Sequence, residues 1–155
     1  MNWSNVTDTG LTIITNKAVI RRFGDCGQLG ESVESSTKSI RPHYRLDAWK
    51  ESMALVKHVY QLTSKFPSSE AFGLTAQMRR AAVSIPSNLA EGAARAGAKE
   101  FAQFLNIAKG SLSELETQIL IAKDLGYAGG FEELLNQAEK VSRVLAGLHR
   151  KVIAG

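Results

Sequence analysis

Three histidines, one cysteine and a closely spaced pair of glutamates are the residues of this chain whose types could support chemistry: His43, His58 and His149, Cys26, and Glu114 with Glu116. The histidines fall in different segments, and none has a carboxylate or cysteine at metal-ligand spacing. No Glu-x-x-His pair is present, and a di-iron helical bundle is built from such pairs. Cys26 has no histidine partner in view and cannot form an intrachain disulfide alone. Glu114 and Glu116 stand two apart, which on a helix puts them on different faces. The stretch GAARAGAKE lacks the spacing of a phosphate-binding glycine loop. These spacings predict a non-catalytic protein with no metal and no cofactor.

The basic residues are the more informative set. The net charge is +4, with a sequence pI near 9.3. Residues 1–40 hold as many acidic as basic side chains, so the whole excess lies after residue 40. Arg79 and Arg80 are adjacent. Lys140, Arg143, Arg150 and Lys151 recur at spacings of three, seven and one, along one side of a helix. Lys50 and Lys57 are seven apart. Such a set suits phosphate contacts without base readout, so Arg79, Arg80, Lys140, Arg143, Arg150 and Lys151 are the candidate nucleic-acid-binding residues. Lysine and arginine at helix ends also serve the helix dipole and solubility, and that alternative stands beside the first.

A chain of 155 residues fits one domain of ordinary size, and its 44% hydrophobic and 22% charged residues are a globular composition. No apolar run approaches the ~18 residues of a membrane helix. The N-terminus has no basic segment followed by a long apolar one. A cytoplasmic protein with no membrane contact is expected.

Two unequal parts hold these residues. Residues 1–40 are rich in Ser, Thr, Gly and Asn and show no sustained period. They read as a loosely ordered N-terminal extension, with one short strand at most in LTIITNKAVI. Residues 41–155 read as four amphipathic helices. The first is DAWKESMALVKHVYQLTSKF, capped by Asp47, with Trp49, Met53, Val56 and Tyr60 as its inner stripe and Val59 and Leu62 widening it. The second runs from Leu74 or Thr75 to about Ala94. The third, about Lys99 to Leu125, carries Phe101, Leu105, Ala108, Leu112, Leu115, Ile119 and Ala122 on one face and stops at Gly126. The fourth starts near Phe131 and buries Leu134, Leu135, Ala138, Val141, Leu145, Leu148 and Val152. Four such helices on short turns predict an all-α, antiparallel up-and-down four-helix bundle.

The second helix, around RRAAVSIPSNLAEGAAR, has a proline in its middle. Pro86 has no N–H and crowds the carbonyl of Ala82, at about 3 kcal/mol in a helix interior. Ending at Ile85 and restarting with Asn88 and Glu91 as a capping box is one resolution. Met78, Ala82, Ile85 and Leu89 keep one apolar face across the proline, however, and favour a single kinked helix, with Ser84 or water taking up the freed carbonyl. On the same wheel Arg80, Ser84, Asn88, Glu91 and Arg95 form a polar flank, while Val83, Ala90 and Ala94 form a small apolar one. A helix dressed on three sides calls for a second partner. Ser84, Asn88, Glu91 and Arg95 are therefore the candidate oligomer interface, the alternative being a network within the chain.

RRAAVSIPSNLAEG closely resembles the signature of the 23S ribosomal RNA intervening-sequence protein family, which includes the accessory variability determinant proteins of diversity-generating retroelements. LDAWKESMALVKHVY, FGLTAQMRRA, EFAQFLNIAKGSLSELETQ and AKDLGY match its pattern in order, over nearly all of 41–155. Residues 1–40 have no counterpart. The resemblance implies a four-helix bundle assembled as a ring-like homopentamer with a basic surface. For the retroelement members it implies a reverse transcriptase and nucleic acid as partners. The resulting expectation is a non-catalytic, homo-oligomeric adaptor for nucleic acid, RNA or DNA without sequence preference, or for a nucleic-acid enzyme. A protein-interaction scaffold without nucleic-acid affinity is the alternative.

Overall fold

In a computed structural model, residues 41–154 can be described. The expected extension over 1–40 lies outside them. Four α-helices carry the fold: α1 (Asp47–Thr63), α2 (Leu74–Ala93), α3 (Ala98–Asp124) and α4 (Phe131–Ala154). Short 3-10 turns precede α1 (Pro42–Arg45) and join α1 to α2 (Ser68–Glu70). Each helix packs on the next and α4 returns to α1, which closes an up-and-down four-helix bundle. Leu55, Met78, Ile85, Leu89, Leu105, Leu115, Ile119, Leu134 and Leu145 are fully buried at its centre.

Two expectations for α1 need correcting. Leu46, not Asp47, occupies the N-cap position. Asp47 is the first helical residue, and its Oδ1 accepts from Lys50 Nζ at 3.2 Å. The buried stripe is Ala48, Ser52, Leu55, Val59, Leu62, while Met53 and Tyr60 are 45% and 44% exposed and Trp49 and Val56 are half-buried. The two stripes lie side by side on the wheel. The one with smaller residues faces inward because it lets the backbones close up, and its only polar member, Ser52, donates to Ala48 O at 2.6 Å. The helix also stops at Thr63, three residues short of Phe66. Phe66 is nonetheless buried, edge-on to the Tyr127 ring at 5.5 Å.

The helix α2 runs unbroken through Pro86, which is buried. Asn88 makes no capping box. Its Nδ2 donates back to Ser84 O at 2.8 Å, and Ser87 Oγ donates to Val83 O at 2.8 Å. Ser84 does not turn to the freed carbonyl either; its hydroxyl faces α3. Two side chains after the proline thus bond the carbonyls that follow Ala82, where the ring disturbs the ladder. Near the other end of α2, Gly92 lets α3 approach closely: a Cβ there would stand 2.7 Å from Phe101 Cδ2 and 2.7 Å from Phe104 Cβ.

The inner face expected for α3 is buried throughout, except that Phe101 is only partly covered, and Gln118 joins it. The helix ends at Gly126, where φ is 69°. Tyr127 N–H bonds Ala122 O at 3.2 Å and Gly126 N–H bonds Lys123 O at 3.0 Å, the paired bonds of a Schellman turn. In α4 the expected residues face inward, with Leu135, Leu148 and Val152 at the partly covered margin.

Candidate nucleic-acid interface

The six candidate phosphate-binding residues do not form one patch. Arg79 and Arg80 lie on α2 and the other four on α4, and each of these helices is flanked by α1 and α3. Both helices start at the same end of the bundle. Arg79 is in the second turn of α2, whereas Arg150 comes 19 residues into α4, which separates them along the axis by roughly 20 Å at 1.5 Å per residue.

Their surroundings differ as well. Arg79 is half-buried; its Nε donates to Thr63 Oγ1 at 2.9 Å and its guanidinium lies 4.7 Å from the centre of the Tyr60 ring. It ties α2 to the end of α1. Arg80 bonds the Gln77 side chain. Lys140 Nζ pairs with Glu51 Oε1 at 2.8 Å, and Gln137 Nε2 donates to the same carboxylate at 3.0 Å. The Lys140 bond and then the Gln137 bond hold the Glu51 carboxyl below its ordinary range. Arg143 pairs loosely with Glu139 at 3.5 Å. Lys140 and Arg143 line an open groove between α1 and α4 of about 440 Å³, with His58, Glu133, Asn136 and Gln137. Acids answer the cations there, Glu51 pairing with Lys140 and Glu139 with Arg143. Arg150 and Lys151 are exposed, and neither has an ion pair among the described residues.

Topology gathers a different set. The start of α1, the end of α2, the start of α3 and the end of α4 share one end of the bundle. They bring Arg41, Arg45, Lys50, Arg95, Lys99, Arg150 and Lys151 together against Asp47, Glu91 and Glu100. At the opposite end Lys65, Arg79, Arg80 and Lys123 meet Glu70, Asp124, Glu132 and Glu133 in equal number, and the middle is balanced too. Most of the positive excess of the described residues therefore sits at one end. Arg45 and Lys151 both line a groove there of about 390 Å³, together with Asp47 and the apolar Leu46, Ala48, Val144 and Leu148. Arg41, Arg45 and Lys99 escaped the sequence reading, which followed single helices. Summing charge by bundle end would have found them.

The candidate interface stripe on α2 is bonded within the chain. Asn88 Nδ2 donates to Ser84 Oγ at 3.0 Å, Ser84 Oγ meets Ser111 Oγ of α3 at 2.9 Å, and Ser111 donates to Ile107 O at 3.1 Å. With its proton on Ile107, Ser111 accepts from Ser84. Arg95 pairs with Glu91 at 2.6 Å and lies 5.3 Å from the centre of the Phe104 ring. The stripe thus ties α2 to α3. Val83, on the small apolar flank of α2, is exposed, and further exposed apolar residues lie elsewhere: Phe72 before α2, Ile107, Leu120, Ile121 and Leu125 along α3 and its cap, and Ile153 on α4.

Among the described residues no group of three His, Cys, Asp or Glu side chains could hold a metal ion, and no helix is long and apolar enough to cross a membrane. Glu116 on α3 is pushed above the ordinary carboxylate range, first by burial and then by Glu139 of α4.

No curated protein matches the chain in sequence. The family model described as 23S rRNA-intervening sequence protein matches residues 44–147. That span covers all of α1, α2 and α3 and most of α4, and it includes the proline helix with its serine and asparagine. The chain belongs to the 23S rRNA-intervening sequence protein family.

Proposed function

We propose that the protein is a non-catalytic, homo-oligomeric helical adaptor that binds nucleic acid through the basic end of its bundle. In its specific form it is the accessory protein of a retroelement reverse transcriptase. The observation that carries the reading is the collection of most of the positive excess of residues 41–154 at one end, where Arg150 and Lys151 have no acid paired to them among the described residues. Phosphate attraction is additive over such a cluster and needs no base contacts. The exposed Ile121 and Leu125 at the end of α3, with Ile107 further up the helix, support self-association, because exposed apolar groups are the surface a partner covers. Family membership supports the oligomer further.

The test is a titration of a generic RNA and a generic duplex at two salt concentrations. Log affinity should fall linearly with log salt, and Arg150→Ala with Lys151→Ala should flatten the slope by roughly two units. Light scattering should give several times the 16.8 kDa chain mass. Absence of binding at low salt would leave the protein-only scaffold as the function.

A further inference from the structure

We infer that the basic end takes single-stranded nucleic acid in preference to duplex, with unpaired bases stacking on an aromatic cluster of His43, Tyr44 and Trp49. The inference rests on the nucleic-acid reading above. It starts from the α1 stripe that periodicity assigned to the core, of which the fold leaves Met53 and Tyr60 exposed and Trp49 and Val56 only half-buried. Trp49 is half-buried at the basic end, where two more rings join it from the turn before α1. Their centroids lie 4.5 Å (His43–Tyr44), 5.3 Å (His43–Trp49) and 5.3 Å (Tyr44–Trp49) apart. The ring planes meet at 53°, 56° and 77°, so none of the three is a parallel stack, and each ring keeps some exposure.

The turn that presents these rings is fixed. Tyr44 N–H bonds Arg41 O at 3.2 Å and Leu46 N–H bonds His43 O at 3.0 Å. Met53, one turn along α1 from Trp49, is exposed beside the cluster, whereas the Tyr60 ring near the far end of the helix is taken by the Arg79 guanidinium. Lys50 and Lys57, both exposed, each follow a residue of this strip by one position and so flank it at about 100° on the wheel. Exposed rings bordered by cations are what an unpaired strand needs: a face for each base and a charge for the phosphates beside it. A duplex offers only the phosphates, because its base faces are already stacked.

The chain has two tryptophans, Trp3 and Trp49. A Trp3→Phe variant of the full chain makes Trp49 the sole indole reporter. Titrated at low salt with oligothymidylate, oligouridylate and a duplex of matched phosphate number, it should show quenching by the single strands and none by the duplex. The two oligomers tell DNA from RNA. Trp49→Leu and Tyr44→Leu should each weaken single-strand binding about ten-fold and leave duplex affinity and the salt slope unchanged, while Trp49→Phe keeps most of the affinity. Tyr44 is not part of the hydrophobic core, so its variant serves even if Trp49→Leu misfolds. Equal affinity for single strand and duplex without quenching overturns the inference and leaves the basic-end reading standing, as does a Tyr44→Leu variant that binds like the parent. Failure of every oligomer to bind at low salt removes both.

Discussion

The hydroxyl of Tyr127 donates to Glu70 Oε1 at 3.1 Å, joining the α3–α4 turn to the α1–α2 turn across 57 positions of sequence. The other carboxylate oxygen of Glu70 accepts the Leu74 N–H at 2.8 Å and so serves the start of α2. One carboxylate thereby fixes two connections at the same end of the bundle. The Glu70 bond, reinforced by burial, raises the Tyr127 pKa above the ordinary tyrosine range. The neutral hydroxyl is the form the fold favours. Its contribution is complete below the unfolded tyrosine value of about 10 and is lost as pH rises through the higher folded value. Tyr127→Phe and Glu70→Gln should each lower Tm at neutral pH, with non-additive effects in the double variant. The Tyr127→Phe difference should shrink above about pH 10, as followed by circular dichroism melts.

At Gly92 and Gly110, both on helices, the same substitution should act with opposite sign. A Cβ at Gly92 runs into the Phe101 ring and Phe104 Cβ, while one at Gly110 meets nothing within 4 Å. Gly92→Ala gains about 1 kcal/mol of helix propensity but forces α2 from α3, at about 1–3 kcal/mol, so a net loss is expected. Gly110→Ala keeps only the gain, about 0.5–1 kcal/mol. Urea unfolding midpoints of the two variants check both.

Glu116 carries a charge the fold disfavours, being partly covered and opposed by Glu139. Its folded pKa is raised, so protonation is favoured by folding. The stability this gives is fully present below the unfolded glutamate value of about 4.3 and is lost as pH rises through the folded one. Glu116→Gln should therefore raise Tm at pH 7 and match the parent near pH 3. A variant less stable than the parent at pH 7 would show that the Glu116 charge has a cation partner in the assembled protein.

The Asn88–Ser84–Ser111 chain should report on the single bundle first. Ser84→Ala removes its middle member and leaves Asn88 and Ser111 each short of a partner. Because the three are only partly buried, water replaces some of the loss, and about 1 kcal/mol of destabilisation is expected. That loss should be the same at every protein concentration. A loss that appears only on dilution, with a fall in oligomer mass, would place these residues between subunits.

The helices were legible where one residue class dominates a face. In α3, Leu105, Ala108, Leu112, Leu115, Ile119 and Ala122 admit one orientation, and all are buried. The stop at Gly126 was legible because a positive φ demands glycine. In α1 two stripes compete, and hydropathy picks the one with Trp49 and Tyr60 over the one with Ala48 and Ser52. Packing decides the other way, since the gap between helices sets side-chain size, and no single helix encodes that gap. The basic site was only half legible for a related reason: Arg41, Lys99 and Arg150 lie far apart in sequence and meet only when the helices run antiparallel. The destination of the α2 polar stripe was open for the same reason, because Ser111 is 27 positions from Ser84.

The collection of charge at one end of the bundle also governs how the molecule approaches a long polyanion. A uniformly basic rod would lie flat along it and cover its sides. A helical bundle charged at one end is instead drawn to it by that end. The flank carrying Ile107, Ile121 and Leu125 then stays clear of the nucleic acid, and a protein can occupy it while the tip is engaged. On the proposed function, nucleic acid at that end and a protein on this flank would not compete for the same surface.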